Sequence, residues 1–497
     1  MIYSFHHFYY WMKGGVETGM AYRARIFREL GLDAKFVFAT TFPDDNIQHE
    51  TEYLGFLDSE VIWMYGFFTD CKISPVTYTL DQLENSFGIK NYTLSREGRI
   101  ATYTFPEETY HYVVYLTDDI SSCVHQVEII SNGYLIRKDY YTYCRIYSQY
   151  YTPIGNQAHL YLRRFFNEDG TVAYEEVMDN ETSPDDVVLY KFSDKLIYSR
   201  EELVGEMMSR LNLTEDDVVL IDGERGKIDH AAFIQNAFPA KVGLIIHAEH
   251  YLENDKDHVL WYGIYEYAFS HPEKISFYVT NTEVQGNLLK NQFKRYKGIE
   301  PVVAAIPVVG LDELKIPKDG RRKHSLISAG RLMWEKKMDK VIEAVVEARK
   351  KIPDLSLDIY GEGKDRANLE ILIKKLNCGD YVRLCGFQKL DDVYQKYEAY
   401  ISASWIETLG VTLLEAIGSG LPIIGFDIPY GTQIFIDEGE NGYRLTWGDV
   451  HGLAEGIVRL FTEADLEAFR QHSYEKAKLY FTEEVKRQWQ NILTQAK

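Results

Sequence analysis

Short apolar runs alternate with amphipathic stretches through residues 1–75 and 203–305. Between the runs, stretches such as Glu17–Leu30 and Glu201–Leu211 place apolar residues at helical spacing. Buried strands that alternate with helices are typical of βαβ units and of a parallel sheet. The pattern predicts an α/β domain whose strands lie at 35–40, 60–64, 217–222, 242–246 and 275–280.

The same alternation is more regular in residues 307–470, and the tail 466–497 has the pattern of a helix. It indicates a second doubly wound sheet, and sheets of this kind bind ligands at the carboxyl ends of their strands. The predicted strands lie at 324–329, 355–360, 382–386, 399–404 and 422–427, and the predicted helices at 337–351, 364–377, 410–419 and 449–462.

Residues 80–200 have a different pattern. Sixteen of the 38 tyrosines lie between residues 91 and 200. Turn signals such as Asn132-Gly133 and Asp169-Gly170 separate runs rich in Tyr, Val and Ile. Such turns between alternating runs favour hairpins. The segment is therefore predicted to be an antiparallel β-meander inserted into the first α/β domain.

These patterns divide the chain into four parts. The first α/β domain takes residues 1–78 and 202–306, and the insertion takes 79–201. The second α/β domain takes 307–475. A last helix, 476–497, is predicted to cross back to the first domain.

Charge and composition exclude several classes of function. The 497 residues contain 54 Lys and Arg against 75 Asp and Glu, a net charge of −21. This balance disfavours nucleic acid and anionic membrane as non-specific partners, because both need a cationic face. The sequence has neither an apolar run of about 18 residues nor a signal peptide. The five cysteines are scattered and odd in number, which indicates free thiols in a reducing cytoplasm.

The sharpest motif runs from Glu407 to Glu415. A predicted strand ends just before it, and a helix is predicted to begin near Gly410, so the amides of Thr408, Leu409, Gly410 and Val411 lie at a helix start. A helix start binds phosphate or the polar edge of a sugar. Glu415, one turn into the helix, is placed to accept hydrogen bonds from a ribose diol. The alternative is an acid favoured by the helix dipole together with a solvated glutamate.

Three further motifs follow predicted strands. Arg331 and Lys336 are placed to reach a diphosphate, the alternative being a solvated basic turn. Gly14 and Gly15 allow a close approach of backbone to ligand, although most Gly-Gly pairs are simple turns. His247 is a candidate substrate contact, whereas His250 is interpreted as structural. The spacing of the two histidines does not match a zinc site, and no metal is predicted.

Familiar nucleotide and esterase motifs are absent from the sequence. There is no P-loop and no esterase elbow. Gly361-Glu362-Gly363 follows a predicted strand, but Ala367 stands where a dinucleotide-binding motif has its third glycine.

Taken together, the motifs resemble the retaining GT-B glycosyltransferases of family 4. Glu407 and Glu415 match the two glutamates of the E-x7-E element. Gly330, Arg331, Leu332, Glu335 and Lys336 match the phosphate motif G-R-L-x-x-E-K. Leu409 departs from the family, where Phe is common. The resemblance implies the GT-B fold: two Rossmann-like doubly wound domains, here with an inserted antiparallel β-meander.

The resemblance also implies roles for these residues. Glu415 binds the nucleotide ribose, Glu407 lies near the donor sugar, and Arg331 and Lys336 bind the diphosphate without a metal. His247 contacts the sugar. The Gly14–Gly15 loop approaches the phosphates, and Gly386-Phe387 lies where the base-binding loop is expected.

The first part of the chain narrows the resemblance to the catalytic subunits of accessory-Sec adhesin O-glycosyltransferases. The matching segments are Gly15–Glu17, Ala21–Arg23, Asp45–His49 and Phe68–Asp70. The resemblance implies transfer of N-acetylglucosamine or glucose from the UDP-sugar to Ser or Thr of a serine-rich repeat adhesin. It further implies a cytoplasmic enzyme, peripheral at most to the inner face of the membrane, that acts with an inactive GT-B partner subunit or as a homo-oligomer.

Two other functions stay open from the sequence. A teichoic-acid glycosyltransferase, acting on poly(glycerol phosphate) or poly(ribitol phosphate), shares the two-domain plan, but the net charge of −21 disfavours its polyanionic acceptor. An inactive GT-B chain that binds acceptor as a chaperone would be expected to lack donor motifs, and here they are present.

Overall fold

The computed structural model describes residues 1–6, 15–40, 46–89, 91–179, 186–223, 230–254 and 258–495. For residues 223, 253 and 254 it describes the backbone only. Gly14 and Asp45, which the sequence singled out, lie outside these ranges. The chain forms two compact units. Unit 1 contains Met1–Ile245 and Gly263–Ser276, and unit 2 contains Ile246–Tyr262 and Phe277–Lys497. The sequence pattern places residues 277–306 in the first α/β domain, whereas in the structure they belong to unit 2.

Unit 1 contains a parallel sheet with the strand order β15-β14-β1-β2-β3. Its pairs β1–β14, β1–β2 and β2–β3 are parallel, as the alternating pattern predicts. The strands are β1 (Ile2–His6), β2 (Ala34–Phe38), β3 (Val61–Trp63), β14 (Val218–Gly223) and β15 (Lys241–Ile246). The helices of unit 1 are α1 (Gly15–Glu29), α2 (Ile47–Leu54), α3 (Leu80–Ser86), α4 (Arg200–Arg210), α5 (His230–Asn236) and α6 (Glu266–Ser270).

A buried ion pair joins three elements of this sheet. Arg23 on α1 donates to Asp222 on β14 at 2.5 Å and to the hydroxyl oxygen of Ser4 on β1 at 2.9 Å. Both charged side chains are almost fully buried. A buried charge is tolerated only when it is paired, so this contact fixes α1 on the sheet.

The insertion is a ten-stranded antiparallel sheet whose strands follow one another in sequence order, as the meander prediction requires. Its strands are β4 (Thr93–Glu97), β5 (Ile100–Thr104), β6 (Tyr110–Leu116), β7 (Val124–Ser131), β8 (Tyr134–Tyr141), β9 (Arg145–Ile154), β10 (Gln157–Phe166), β11 (Val172–Asp179), β12 (Asp186–Phe192) and β13 (Leu196–Ile197). The segment before β4 is helical in part, because Thr79 and Gln82 form a capping box that starts α3.

Many of the tyrosines of this sheet form its core. A ladder of stacked rings crosses five strands with centroids 4.2–5.4 Å apart. It packs on Trp63 and Phe68 of the parallel-sheet part of unit 1. The ladder comprises Tyr140, Tyr147, Phe165, Tyr174 and Phe192. Six of the sixteen tyrosines between residues 91 and 200 are buried, so buried aromatic packing explains part of the tyrosine excess.

Unit 2 contains a six-stranded, fully parallel sheet with the order β22-β21-β20-β23-β24-β25. The strands are β20 (Ser325–Ala329), β21 (Ser356–Tyr360), β22 (Val382–Leu384), β23 (Ala399–Ser402), β24 (Ile423–Phe426) and β25 (Gly442–Leu445). The order reverses between β20 and β23. Ligands of doubly wound sheets bind outside the carboxyl ends of the strands at such a switch point.

The remaining strands of unit 2 are β16 (Tyr251–Asn254), β17 (Val259–Trp261), β18 (Phe277–Thr280) and β19 (Val303–Ala305). Its helices are α7 (Glu283–Lys297), α8 (Met338–Ala348), α9 (Arg366–Lys375), α10 (Val411–Gly418), α11 (Gly431–Phe435), α12 (Val450–Thr462), α13 (Leu466–Lys478) and α14 (Thr482–Gln495).

The helical tail is two helices, not the single helix that its pattern predicts. The break falls at residues 479–481, where Leu311 donates to the Tyr480 carbonyl oxygen at 2.8 Å and accepts from the amide of Thr482 at 2.9 Å. This backbone pairing replaces helical hydrogen bonds. Beyond it, α14 packs against β19. Across the described ranges, every helix is too short or too polar to cross a bilayer.

Candidate functional site

The predicted donor residues lie on two loops that leave neighbouring strands at the switch point of unit 2. Residues 330–337 follow β20, and residues 403–410 follow β23. The amide of Trp405 donates to the carbonyl oxygen of Glu335 at 2.8 Å, which ties the loops together. Residues separated by about 70 positions in the sequence thus form one site.

Lys336 and Glu407 form the central ion pair of this site. Lys336 Nζ donates to Glu407 Oε1 at 2.5 Å, and both side chains are largely buried. Gly431 donates its amide to the Glu407 carbonyl oxygen at 3.3 Å and holds the other side of the loop. An ammonium has three donors, so Lys336 keeps donors for an anion while Glu407 fixes its position. The sequence assigned Lys336 to a diphosphate and did not predict this pairing.

The side chain of Arg331 is more exposed than that of Lys336. Its side chain is 51% exposed and lies 3.7 Å from Glu335. A guanidinium binds a phosphate as a two-pronged donor, so Arg331 suits the predicted contact with the diphosphate.

Helix α10 begins at the carboxyl end of β23 without a side-chain cap. Its N-cap is Gly410, with φ of 77°, and a Cβ there would lie 2.7 Å from a Leu413 side-chain carbon. The left-handed backbone conformation therefore favours glycine here, and a Cβ would in addition require the Leu413 side chain to move. Thr408 lies in the approach to the helix, and Leu409 is buried. An uncapped helix start offers its amides to an anionic ligand, as the sequence predicts.

Glu415 lies one turn into α10, where the side chain of Tyr394 reaches it. The Tyr394 hydroxyl donates to Glu415 Oε2 at 2.8 Å. Burial raises the pKa of Glu415 to about 7, although this hydrogen bond lowers it. Tyr394 was missed in the sequence, since nothing in its local pattern marks it as a partner of Glu415.

The raised pKa of Glu415 predicts a pH-dependent affinity for UDP. Only the carboxylate accepts two hydrogen bonds from a diol, so UDP binding is expected to strengthen about tenfold from pH 6 to pH 8. Titration calorimetry at both values measures this change. The Glu415→Gln variant is the control. Glutamine does not titrate, so the pH dependence that remains in this variant comes from protonation of UDP itself. An equal pH dependence in wild type and variant would contradict the assignment.

Protonation of Glu415 also makes the free energy of unfolding depend on pH, but in the opposite direction, since this contribution decreases as the pH rises. The folded-state pKa of Glu415 lies above the ordinary value of 4.5. The folded state therefore binds the proton more tightly, and this contribution to stability is present below pH 4.5 and lost as the pH rises through about 7.

Gly361 and Gly363 hold the loop after β21 against the donor loop. A Cβ at Gly361 would lie 1.9 Å from the Gly330 carbonyl oxygen, and one at Gly363 would lie 2.3 Å from that of Leu332. In the sequence, these glycines did not qualify as a dinucleotide-binding motif, because the third glycine of that motif is missing. Their role is close backbone packing at the site. Glycines that directly follow a strand often have this role, so the sequence could have indicated it.

The predicted base-binding residues lie beside this loop. Gly386 accepts from the amide of Gly361 at 2.8 Å, and Phe387 is 77% exposed. An exposed aromatic ring at a strand end is suited to stacking on a planar base.

His247 is joined to the donor loop through its backbone. Thr408 donates its hydroxyl to the His247 carbonyl oxygen at 2.9 Å. Nearby, burial raises the pKa of Glu249, and the hydroxyl of the buried Tyr430 lowers it. His250 is fully buried with Nε2 2.7 Å from Gln292 Oε1, and burial lowers its pKa to about 4. It is therefore neutral and structural, in agreement with its interpretation from the sequence.

The structure thus brings together Glu407, Glu415, Arg331, Lys336, Thr408–Val411 and the backbone of His247, all within unit 2. Gly15 is the first residue of α1 in unit 1, and its predicted contact with phosphate stays a prediction. Gly14 lies outside the described residues.

One group of potential metal ligands is found in the described ranges: Asp437, Glu440 and His472. Lys476 Nζ lies 2.7 and 2.8 Å from the two carboxylate oxygens of Asp437. A lysine already stands where a cation would bind, so the group is explained as an ion-pair network.

A cavity of about 470 Å³ lies in unit 1, between residues 59–74 and the antiparallel sheet. None of the predicted donor residues lines it. The candidate site is therefore defined by its side chains and switch point and not by this cavity.

Two family models match the chain. The GtfA extended beta-sheet domain matches residues 93–194, and the glycosyl transferases group 1 model matches residues 313–479. The first covers the antiparallel sheet, and the second covers the six-stranded sheet with the candidate site.

Relatives match over the full length. The chain is 41% identical to the UDP-N-acetylglucosamine–peptide N-acetylglucosaminyltransferase GtfA subunit of Streptococcus gordonii, over 98% of this chain and 97% of the relative. A crystal structure of the pneumococcal O-GlcNAc transferase GtfA in complex with UDP and GlcNAc is 38% identical, with a TM-score of 0.92 over 100% of this chain and 98% of that one. The crystal structure of a GtfA/B complex is 39% identical, with a TM-score of 0.93 over 100% and 99%.

These matches confirm the GT-B fold and the resemblance stated from the motifs. The chain belongs to the family of GtfA subunits of UDP-N-acetylglucosamine–peptide N-acetylglucosaminyltransferases.

Proposed function

We propose that this protein transfers N-acetylglucosamine from UDP-N-acetylglucosamine to Ser or Thr of a serine-rich polypeptide, with retention of the anomeric configuration. The observation that carries the proposal is the Lys336–Glu407 pair at the switch point, beside the uncapped start of α10. It supplies a cation and amides for a diphosphate in a chain related over its full length to peptide N-acetylglucosaminyltransferases.

Each residue then has a part in the reaction. Lys336, Arg331 and the amides of α10 bind the diphosphate and stabilise its negative charge as it departs. Glu415 accepts from the ribose hydroxyls, and Glu407 orients Lys336 next to the donor sugar. His247 contacts the sugar, and Gly386-Phe387 bind the base.

Transfer occurs on the face from which UDP leaves. The acceptor hydroxyl oxygen bonds to the anomeric carbon as the bond from that carbon to the phosphate oxygen breaks. The bonding electron pair leaves with UDP, and the acceptor's proton passes to the departing phosphate oxygen. Positioning and electrostatic stabilisation therefore supply the catalysis.

The proposed reaction needs no metal, because protein cations and amides neutralise the diphosphate. Activity is expected to survive EDTA with less than about a twofold change. Initial rates with and without chelator measure this. A loss on chelation that Mn²⁺ restores would contradict the metal-free mechanism.

The proposals for the acceptor and the partner subunit rest on the relatives of this chain. A GtfA relative is crystallised as a GtfA/B complex, and we propose that this chain also acts with a second, catalytically inactive GT-B subunit, the predicted alternative being a homo-oligomer. The antiparallel sheet is the proposed surface for acceptor or partner. Cytoplasmic location, peripheral at most to the membrane, is proposed with it.

A comparison of donor and acceptor combinations tests the proposal. The full chain, alone and with its partner subunit, is offered radiolabelled UDP-N-acetylglucosamine or UDP-glucose with a serine-rich peptide or with poly(glycerol phosphate). Label from UDP-N-acetylglucosamine on the peptide is expected. Label on poly(glycerol phosphate) alone would favour the teichoic-acid alternative, and no transfer in any combination would favour an acceptor-binding chaperone.

A further inference from the structure

Two of the five cysteines meet where the antiparallel sheet joins the rest of unit 1. Cys71 lies in the segment between β3 and α3, and Cys144 lies in the turn between β8 and β9. Their sulfur atoms are 3.8 Å apart, although the residues are 73 positions apart in the sequence. We refer to Cys71 and Cys144 as the junction thiols. The fold, and not the local sequence, brings them into contact.

Neighbouring residues hold the two segments together independently of the sulfur atoms. Lys72 donates its amide to the Tyr143 hydroxyl oxygen at 2.9 Å. Thr77 and Tyr78 donate their amides to the Thr142 carbonyl oxygen at 3.0 and 2.9 Å. Two groups held in this way react as if they were highly concentrated, because bringing them together costs little further entropy.

The gap that remains between the sulfur atoms is small. A disulfide has an S–S distance of about 2.05 Å, so the atoms must approach by roughly 1.8 Å from their present separation of 3.8 Å. Both cysteines lie outside the helices and strands. The approach therefore leaves the hydrogen bonds of the sheets intact.

Cys71 is the more reactive of the junction thiols. The hydrogen bond from Cys144 lowers the pKa of the Cys71 thiol by more than burial raises it. The same hydrogen bond, followed by burial, raises the pKa of the Cys144 thiol. Cys71 also lines the cavity of about 470 Å³, and the exposed Lys72 beside it lies at the solvent side. Because the thiolate is the nucleophile, Cys71 is expected to react first with a small oxidant that enters there.

We propose that the junction thiols are a reversible oxidation site, which a peroxide converts into a disulfide between Cys71 and Cys144. The Cys71 thiolate attacks one oxygen of hydrogen peroxide, the O–O bond breaks, and hydroxide leaves as Cys71 becomes a sulfenic acid. The Cys144 thiol then attacks the sulfenic sulfur, the S–O bond breaks, and water leaves. The two thiols together lose two electrons and two protons, and the peroxide is reduced to two molecules of water. A dithiol reductant reverses the reaction.

The disulfide joins the segment after β3 to the turn between β8 and β9. It closes a loop of 73 positions that contains α3 and β4–β8. Closing a long loop stabilises the folded state, because it restricts the unfolded chain. Disulfides that form in a reducing compartment are usually transient and often sense oxidants. The attachment of the insertion to the rest of unit 1 thus depends on the oxidation state.

Mapping the thiols of the full chain tests the proposal. The protein is treated with hydrogen peroxide, and its peptides are analysed by mass spectrometry without reduction. We expect a cross-linked pair of peptides containing Cys71 and Cys144, and complete recovery of both thiols with dithiothreitol. In Cys144→Ser, dimedone is expected to trap a sulfenic acid at Cys71.

Cys385 provides the matched control. It is exposed, but desolvation of its sulfur raises its pKa. Cys71 is expected to react with peroxide at least about tenfold faster than Cys385, although exposure alone would favour the opposite order. Cys385→Ser is expected to form the disulfide as wild type does.

Thermal unfolding measures the effect on the fold. Oxidised wild type is expected to unfold at a temperature several degrees above that of the reduced protein, and this difference should vanish in Cys71→Ser. A cross-link between other cysteines, oxidation of Cys385 before Cys71, or an unfolding temperature that oxidation leaves unchanged would overturn the proposal. These measurements do not use sugar transfer, so they are independent of the proposed function.

Discussion

Replacing Lys336 with alanine is expected to lower kcat for transfer by about 100- to 1000-fold. The ammonium stabilises negative charge on the departing diphosphate, and its loss also leaves the largely buried carboxylate of Glu407 without its 2.5 Å partner. That carboxylate would then repel the diphosphate. Arg331→Ala is expected to have a smaller effect, because its guanidinium is half exposed.

Steady-state rates of sugar transfer measure the effect of Lys336→Ala. Lys340→Ala is the matched control, since Lys340 lies on α8 in a surface ion pair with Glu343. Thermal unfolding verifies that both variants are folded. A folded Lys336→Ala protein that turns over within threefold of wild type would contradict the role of this lysine.

Replacing Asp222 with alanine is expected to lower the free energy of unfolding by about 3–5 kcal/mol. The change leaves Arg23 buried without the carboxylate that it contacts at 2.5 Å. Removing one partner of a buried ion pair costs far more than losing a surface contact, because the remaining charge lies in a medium that solvates it poorly.

Chemical denaturation measures the loss in Asp222→Ala. Asp216→Ala, at an exposed position before β14, is the control and is expected to change stability by less than about 0.5 kcal/mol. A similar small change in both variants would show that the pair with Arg23 contributes little.

The periodicity of the sequence predicted the elements of the fold well. The five strands predicted between residues 324 and 427 all exist, and each observed strand lies within the predicted range. The meander was predicted from its turns, because Asn-Gly and Asp-Gly chemistry is local. The capping box at Thr79 and Gln82 is equally local, so α3 was within reach of the sequence.

Features that depend on contacts distant in sequence were missed. The E-x7-E spacing located Glu407 and Glu415, but it contained no sign that Lys336 would contact the first or Tyr394 the second. The close packing of Gly361 on Gly330 was hidden for the same reason. The split of the tail at residues 479–481 depends on pairing with Leu311, which its own helical pattern does not reveal.

The most direct test of the central claim is the structure of the product. A serine-rich peptide is incubated with the protein, its partner subunit and UDP-N-acetylglucosamine, and the glycosylated peptide is analysed by NMR and by site-mapped mass spectrometry. We expect N-acetylglucosamine in α-linkage to Ser or Thr, formed by wild type and strongly reduced with Lys336→Ala. A β-linked sugar, a hexose without the N-acetyl group or an unmodified peptide would contradict the proposed reaction.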